Sequence, residues 1–334
     1  MSILVTGGTG FIGSHLLRRL VAQGKSVSAT KRRSTNMHLV KDIADKITWF
    51  DTDILDIEGL TMAMSGIKQV YHCAAVVSFV PSEHAQMHQV NAVGTANVVN
   101  IALATGVEKM LYVSSIAALG RSALQQNVNE NSKWEDSPYN TQYAISKMLG
   151  EREVWRGMEE GLNAVIINPS VVLGEGDWAQ SSGRLFKRVY DGLRFYPQGG
   201  TGYVDVLDVV SLATALMDSP LHHERYVVNA ENMTYKAFFD TVAQYLGKPA
   251  PYIAASELMA QIAWRIEAIR CKISGAKPLI TRETANMTKM HYFYQNDKIC
   301  QALSFQFTPI EQTIKRVCEA LRHELEPNYK IKDN

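Results

Sequence analysis

Ile3-Leu4-Val5-Thr6-Gly7-Gly8-Thr9-Gly10-Phe11-Ile12-Gly13-Ser14-His15-Leu16-Leu17 decides the fold. An apolar run with strand character passes directly into glycines, and a helical pattern, Ser14–Leu20, follows at once. Glycines let the backbone approach a pyrophosphate, while a helix N-terminus presents free N–H groups and the positive end of its dipole. The Gly7, Gly10 and Gly13 spacing, GxxGxxG, differs from the GxGxxG of most dehydrogenases. Between a strand and a helix it still reads as a dinucleotide cradle, with Gly7, Thr9, Gly10, Phe11, Ile12 and Gly13 as the residues that line it.

Outward from this turn, short β-branched runs alternate with helical segments. Val27–Thr30, Ile47–Asp51, Val70–Cys73, Met110–Ser114 and Asn163–Asn168 read as strands; Asn91–Thr105 and Tyr139–Gly161 read as helices. Such alternation predicts an α/β fold, a doubly wound parallel sheet of the Rossmann type. After Pro169 the regularity fails among closely spaced glycines. Tyr203–Val206 and Tyr226–Asn229 are again strand-like, so the chain is expected to return to the sheet. The dinucleotide-binding domain is therefore expected over 1–171 and 201–230, and a smaller, discontinuous α/β substrate region over 172–200 and 231–334.

The second strand end fixes the cofactor reading. Rossmann sites for NAD place an acidic side chain there to bind the ribose 2′-hydroxyl, yet no Asp or Glu occurs from Phe11 to Lys41. Lys31-Arg32-Arg33 stands there instead. A 2′-phosphate is drawn to cations and would be repelled by a carboxylate, which predicts NADP over NAD.

Tyr143 and Lys147 are four apart in a predicted helix and so share one face. A nearby ammonium stabilises a phenolate and lowers the tyrosine pKa, making it a usable acid–base group. YxxxK alone is a common accident. Upstream, however, Met110–Ser115 is an apolar strand ending in two serines at the carboxyl edge of the inferred sheet, where doubly wound folds bind ligands.

With these residues the chain resembles an extended short-chain dehydrogenase/reductase of the NAD(P)-dependent epimerase/dehydratase superfamily. The resemblance runs through Thr6–Gly13, Asp53-Ile54, His72–Ala75, Asn91–Thr95, Ser114-Ser115, Tyr143 and Lys147, Asn168–Gly174 and Tyr203–Val206, over roughly the first two thirds of the chain. It implies that Asp53 and Ile54 contact adenine and that Ala74 and Ala75 line the cofactor channel. It also implies that Pro169 and Val172 flank the nicotinamide, that Tyr143 and Lys147 reach its ribose, and that Ser115, five residues before Gly120, is the catalytic serine. Asn91 reads as structural or water-ordering.

Dehydratases of that superfamily place an acidic pair after the strand-end serine or threonine; here Ser115-Ile116-Ala117-Ala118 follows, which disfavours dehydration. Val27–Arg32 and Gly202–Asp208 are similar to the dihydroflavonol-4-reductase-like branch, which implies NADPH-dependent reduction of a ketone or aldehyde, or the reverse alcohol oxidation. Two alternatives stay open: a nucleotide-sugar epimerase, for which Arg184, Lys187 and Arg188 can serve a diphosphate, and a non-catalytic NADP sensor. Phe79, Trp178 and Phe186 are the expected substrate contacts; Tyr190, Phe195, Trp264 and Tyr292–Tyr294 are pocket or core.

Composition sets outer limits. With 334 residues, 46% hydrophobic and 20% charged, and a net charge of +1, the chain has a large core and no field that implies nucleic acid as partner. The four cysteines lack metal-ligand spacing and read as reduced thiols, and His84 with His88 lacks the glutamate of a zinc motif, so no metal is expected. Met1 leads directly into a strand with no signal-like segment, the expectation for a cytoplasmic protein. Leu258–Ile273 carries too many charges to cross a bilayer and reads as an amphipathic helix. The resemblance further implies a homodimer and a small-molecule carbonyl or alcohol substrate.

Overall fold

The computed structural model describes residues 2–122, 126–274, 281–286 and 290–326. The chain divides into two compact units. The first comprises Met1–Pro169, Leu207–Val228 and Gln295–Phe305; the second comprises Ser170–Val206, Asn229–Tyr294 and Gln306–Asn334.

The first unit is built on strands β1 (Ile3–Thr6), β2 (Val27–Lys31), β3 (Thr48–Asp51), β4 (Gln69–His72), β5 (Lys109–Val113) and β6 (Ala164–Pro169), closed at one edge by Glu224–Val228. All seven are parallel, in the order Glu224–Val228, β6, β5, β4, β1, β2, β3. Strands β1, β4, β5 and β6 are buried along their whole length, as a sheet covered on both faces requires. Chain direction across the sheet reverses between β1 and β4, and the crevice at that switch point is where such sheets bind ligands.

Helix α1 is Phe11–Ala22, α2 Ile57–Met64, α3 Thr95–Thr105 and α4 Gln142–Glu159. Leu60 and Met64 of α2, Val98 and Val99 of α3 and Val154 and Met158 of α4 share one core with Leu4, Val70, Met110 and Ile166 of the strands. Each fully buried side chain of this kind contributes about 1.5–3 kcal/mol. Local chemistry sets the ends: Asp56 and Thr141 cap the first turns of α2 and α4 by accepting from the Gly59 and Ala144 N–H groups, and Gly106, at φ 71°, closes α3 in the left-handed region. The helix expected over 91–105 is not uniform, because Gln89–Gly94 forms a π-helical turn before α3. On another flank, Lys109 donates to the carbonyls of Leu216 and Ser219 at 2.7 and 2.6 Å, closing the C-terminus of helix Val206–Asp218.

The second unit corrects one expectation. Gly200–Asp205 does not rejoin the central sheet. It is the middle strand of a separate three-stranded sheet, antiparallel to Glu231–Thr234 and parallel to Val171–Leu173. The segment that does return is Glu224–Val228. Val172 is thus a strand residue of the small sheet, opposite Val204. Helices Tyr235–Leu246 and Ile310–Leu325 supply Phe238, Val242, Ile314 and Val317 to the core of this unit. Asp205, nearly fully buried, accepts from Arg316 at 2.6 Å and Thr313 at 2.7 Å, while Arg316 also holds Glu175 at 2.7 Å. The expected amphipathic helix is Glu257–Ser274, and among the described residues no helix is long and apolar enough to cross a membrane.

Candidate active site

The phosphate cradle follows from backbone geometry. Gly7 sits at φ 69°, and a Cβ on it would stand 2.6 Å from the Ala74 backbone; a Cβ on Gly13 would stand 2.2 Å from the Gly7 carbonyl oxygen. Neither position admits a side chain. Gly10, the exposed N-cap of α1, uses no side chain to cap the helix, and the first turn carries no acid. A helix N-terminus with no acid in its first turn, behind a turn that leaves no room for side chains, fits a pyrophosphate. Thr9, Phe11 and Ile12 lie half-buried along the same turn, and Ala74 and Ala75 leave β4 opposite it.

The three cations at the end of β2 are not equivalent. Lys31 is ion-paired to Asp51 on the neighbouring strand. Arg32 and Arg33 are exposed, and neither guanidinium makes a hydrogen bond among the described residues; the Arg32 and Thr35 backbones close a turn around them. Asp53 caps its own loop through the Leu55 N–H, and the Ile54 side chain is buried in the core, where its Cδ1 would meet a Cβ on Gly94 at 2.5 Å. That leaves the backbone at 53–54, with Asp53, as the surface available to an adenine.

Ser115, Tyr143 and Lys147 meet in the first unit. Ser115 follows β5 in extended geometry and caps a short turn by accepting from Ala117 N–H at 3.1 Å. Tyr143 and Lys147 rise from the start of α4, one turn apart. Burial raises the Tyr143 phenol above its ordinary value, against a hydrogen bond with Ser115 and the Arg121 charge, which both lower it. Phe79 stands edge-on to Tyr143, ring centres 6.0 Å apart. The Lys147 ammonium, fully enclosed, donates to Tyr112 Oη and the Val113 carbonyl, both at 2.9 Å, and lies over the Tyr112 ring. Burial brings Lys147 down to about 7, against Glu151 and Cys73, which hold it up. The expected lowering of the Tyr143 pKa by Lys147 is therefore not the observed arrangement: the lysine points at Tyr112, and Ser115 and Arg121 act on the phenol.

Around the centre lies a buried polar frame. His72 bridges Thr6 Oγ1 at 2.7 Å and Thr95 Oγ1 at 3.0 Å and stacks on Tyr112; burial and the Lys147 charge bring its pKa to about 3, so it is neutral. Asn91 pairs with both backbone groups of Val76 and donates to Ser146 on α4, a structural role. Ser114 and Asn168 both donate to Glu151, and Asn168 also holds the Ser115 carbonyl at 3.0 Å.

Tyr112, Glu151 and Arg225 were not singled out from the sequence. For Glu151 the signal existed, since Tyr143, Lys147 and Glu151 continue one four-residue spacing along a helix face; for Tyr112, inside a uniformly buried strand, none did. Two expected substrate contacts are corrected. Phe186 is fully buried, edge-on to Phe238, and Trp178 is a core residue whose indole donates to Glu324 at 2.7 Å. Both serve the packing of the second unit. Tyr292 and Tyr294 are buried as well, and Pro169 ends β6, buried. The described cysteines are free thiols, burial pushing Cys73 up to about 12, and no group of three or more metal-ligating side chains occurs among the described residues.

Residues 3–229 match the NAD dependent epimerase/dehydratase family. "Sterol demethylase protein B" of Methylococcus capsulatus is 30% identical over 265 residues, 78% of this chain and 79% of that protein. "Putative dihydroflavonol 4-reductase" of Synechocystis is 28% identical over 317 residues, 93% and 91% of the two chains. The crystal structure of the UDP-glucose 4-epimerase of Thermus thermophilus in complex with NAD superposes with a TM-score of 0.76 at 24% identity, covering 96% of this chain and 99% of that one, a likeness of fold.

Proposed function

Because the chain belongs to the NAD dependent epimerase/dehydratase family, and is thus an NAD(P)-dependent oxidoreductase of the extended short-chain dehydrogenase/reductase type, we propose that it uses NADPH to reduce a ketone or aldehyde to the alcohol. The observation that carries this reading is the Ser115–Tyr143 pair, with Lys147 one helical turn along and no carboxylic acid pair after Ser115 to drive an elimination.

When bound, the nicotinamide cofactor supplies the hydride. The Gly7–Gly13 turn and the N-terminus of α1 would hold its pyrophosphate, and Arg32 with Arg33 its 2′-phosphate; Lys31, engaged by Asp51, contributes less. Ser115 and Tyr143 both direct a hydroxyl at the substrate oxygen. Tyr143, held protonated by its burial, donates its proton to that oxygen as the carbonyl becomes an alcohol. Lys147, held by Tyr112 and the Val113 carbonyl rather than by the phenol, in its protonated form offsets at longer range part of the negative charge that the proton's departure leaves.

A screen of carbonyl compounds with NADPH, followed by absorbance loss of the reduced cofactor, tests the proposal. Tyr143→Phe should lose most turnover, at least about 100-fold by the usual contribution of a proton donor, with cofactor binding intact. Retained turnover would refute the assignment. The nucleotide-sugar reading draws on Arg184 and Arg188, whose guanidinium groups make no hydrogen bond among the described residues; epimerisation of a nucleoside diphosphate sugar without net consumption of cofactor would favour it. The 30% identical relative, named for sterol demethylation, supports placing large apolar ketones first in the screen.

A further inference from the structure

Glu151 is almost fully buried, one turn beyond Lys147 on α4. Its oxygens receive only donors: Ser114 Oγ at 2.7 Å and Asn168 Nδ2 at 2.8 Å on one, Arg225 Nη1 at 3.0 Å and the Trp155 indole at 3.4 Å on the other. That is the pattern of an ionised carboxylate. Arg225, on the edge strand Glu224–Val228, also donates to the carbonyls of Glu130 and Ser132 in the segment before α4, and Glu130 in turn accepts from the Val227 N–H at 2.8 Å. A buried pair of this kind adds little net stability over an apolar pair of similar volume. Stability alone is therefore a weak reason for it to lie beside Ser115 and Lys147.

We propose that Glu151 is a positioning residue of the Ser115–Tyr143–Lys147 centre: its carboxylate is the counter-charge to the buried Lys147 ammonium, and through Ser114 and Asn168 it fixes the strand ends that carry Ser115. The inference rests on the reductase reading for its catalytic meaning, but its electrostatic content stands apart. The groups that act on Lys147 are His72 and Cys73 at the end of β4, Tyr112 of β5 and Glu151 of its own helix. Glu151 also acts on Tyr112, as does Tyr143. Among these only Glu151 carries a negative charge at neutral pH, since burial keeps Cys73 and Tyr112 protonated. Arg225 offsets part of that charge from the far side.

The test follows Lys147 directly. In the full-length, cofactor-free protein carrying ε-13C lysine, the Lys147 signal, assigned by its loss in Lys147→Met, is titrated by NMR. Glu151→Gln should move the midpoint down by about one pH unit, a tenfold loss of proton affinity. Arg225→Gln, which leaves the carboxylate less neutralised, should move it up. A folded Glu151→Gln protein with an unmoved midpoint overturns the proposal; if that variant does not fold, an unmoved midpoint in Arg225→Gln overturns it. In carbonyl reduction the alkaline limb should follow the same displacement with KM unchanged, which a loss of packing alone would not produce, and Glu151→Asp should keep the limb in place. A wild type that reduces no carbonyl while the midpoints move sinks the reductase reading and supports the charge pairing. Reduction with unmoved midpoints does the reverse.

Discussion

Gly150→Ala sets two effects of opposite sign against each other. Gly150 lies in the interior of α4, between Lys147 and Glu151 and next to the latter, where replacing glycine by alanine favours the helix by about 1 kcal/mol. The new Cβ, however, would stand 2.3 Å from the Asn91 carbonyl oxygen and 2.7 Å from Tyr112 Oη, whereas ordinary contact begins at 3.4 Å. To relieve it, α4 must retreat by about 1 Å from a close-packed interior. Asn91 cannot yield easily, because its side chain is tied to Val76 and Ser146. Over-packing costs about 1–3 kcal/mol, and a clash with backbone belongs at the upper end, about 2–3 kcal/mol, so after the helix gain of about 1 kcal/mol the net expectation is a loss of roughly 1–2 kcal/mol. Tyr112 also holds Lys147, so carbonyl reduction should fall together with stability. Gly157→Ala, on the same helix, gains the same propensity but meets the Val99 Cγ1 methyl at 2.4 Å, an obstacle that a side-chain rotation can move. Equilibrium urea unfolding should therefore rank wild type above Gly150→Ala, and Gly157→Ala above Gly150→Ala. A Gly150→Ala protein as stable as wild type would refute the reasoning, since helix propensity would then have won.

Other consequences are as direct. Arg32→Ala with Arg33→Ala should weaken NADP(H) binding by about 10- to 100-fold, the worth of one or two charge-assisted hydrogen bonds, and leave NAD(H) unchanged; calorimetric titration in which both cofactors weaken alike would remove the 2′-phosphate from these residues. Lys31→Ala should do less, because Asp51 already engages that ammonium. Lys147, at about 7 when folded and near the ordinary lysine value when unfolded, binds fewer protons folded than unfolded above pH 7. Its contribution therefore makes stability rise with pH from about 7 towards 10, and Lys147→Met should flatten the pH dependence of the unfolding midpoint between pH 7 and about 8.5. Thr141→Ala removes the cap of α4 and should cost about 1 kcal/mol, read as a lower urea midpoint.

What could be read from the sequence was what depends on neighbours along the chain. The glycine turn is local: Gly7 needs its positive φ, and the strand before it and helix after it leave one use for the space. Tyr143 and Lys147 are legible because helical spacing alone puts them on one face. Partnerships across the sheet are not encoded that way. Lys31 and Asp51 stand on different strands, and nothing in Lys31-Arg32-Arg33 tells which cation is already engaged. Glu151 finds Arg225 at a separation of 74 residues. Tyr203–Val206 was misplaced because a fully buried strand reads the same in a large parallel sheet and in a small mixed one. Trp178 and Phe186 were misread for a related reason, since an aromatic side chain carries no mark that separates a pocket wall from a packed core.

The π-helical turn at Gln89–Gly94 makes chain length itself a constraint. It spends one residue more than an α-helix would, and that surplus brings the Asn91 amide onto Val76 and Ser146 while its carbonyl takes the Thr95 hydroxyl at 2.8 Å. Removing one residue there, even the exposed Val93, would restore a regular helix and rotate Asn91 by about 100° away from both partners. Insertions and deletions in this segment should thus be selected against as strongly as substitutions at the reacting side chains, although no atom of it is expected to touch the substrate.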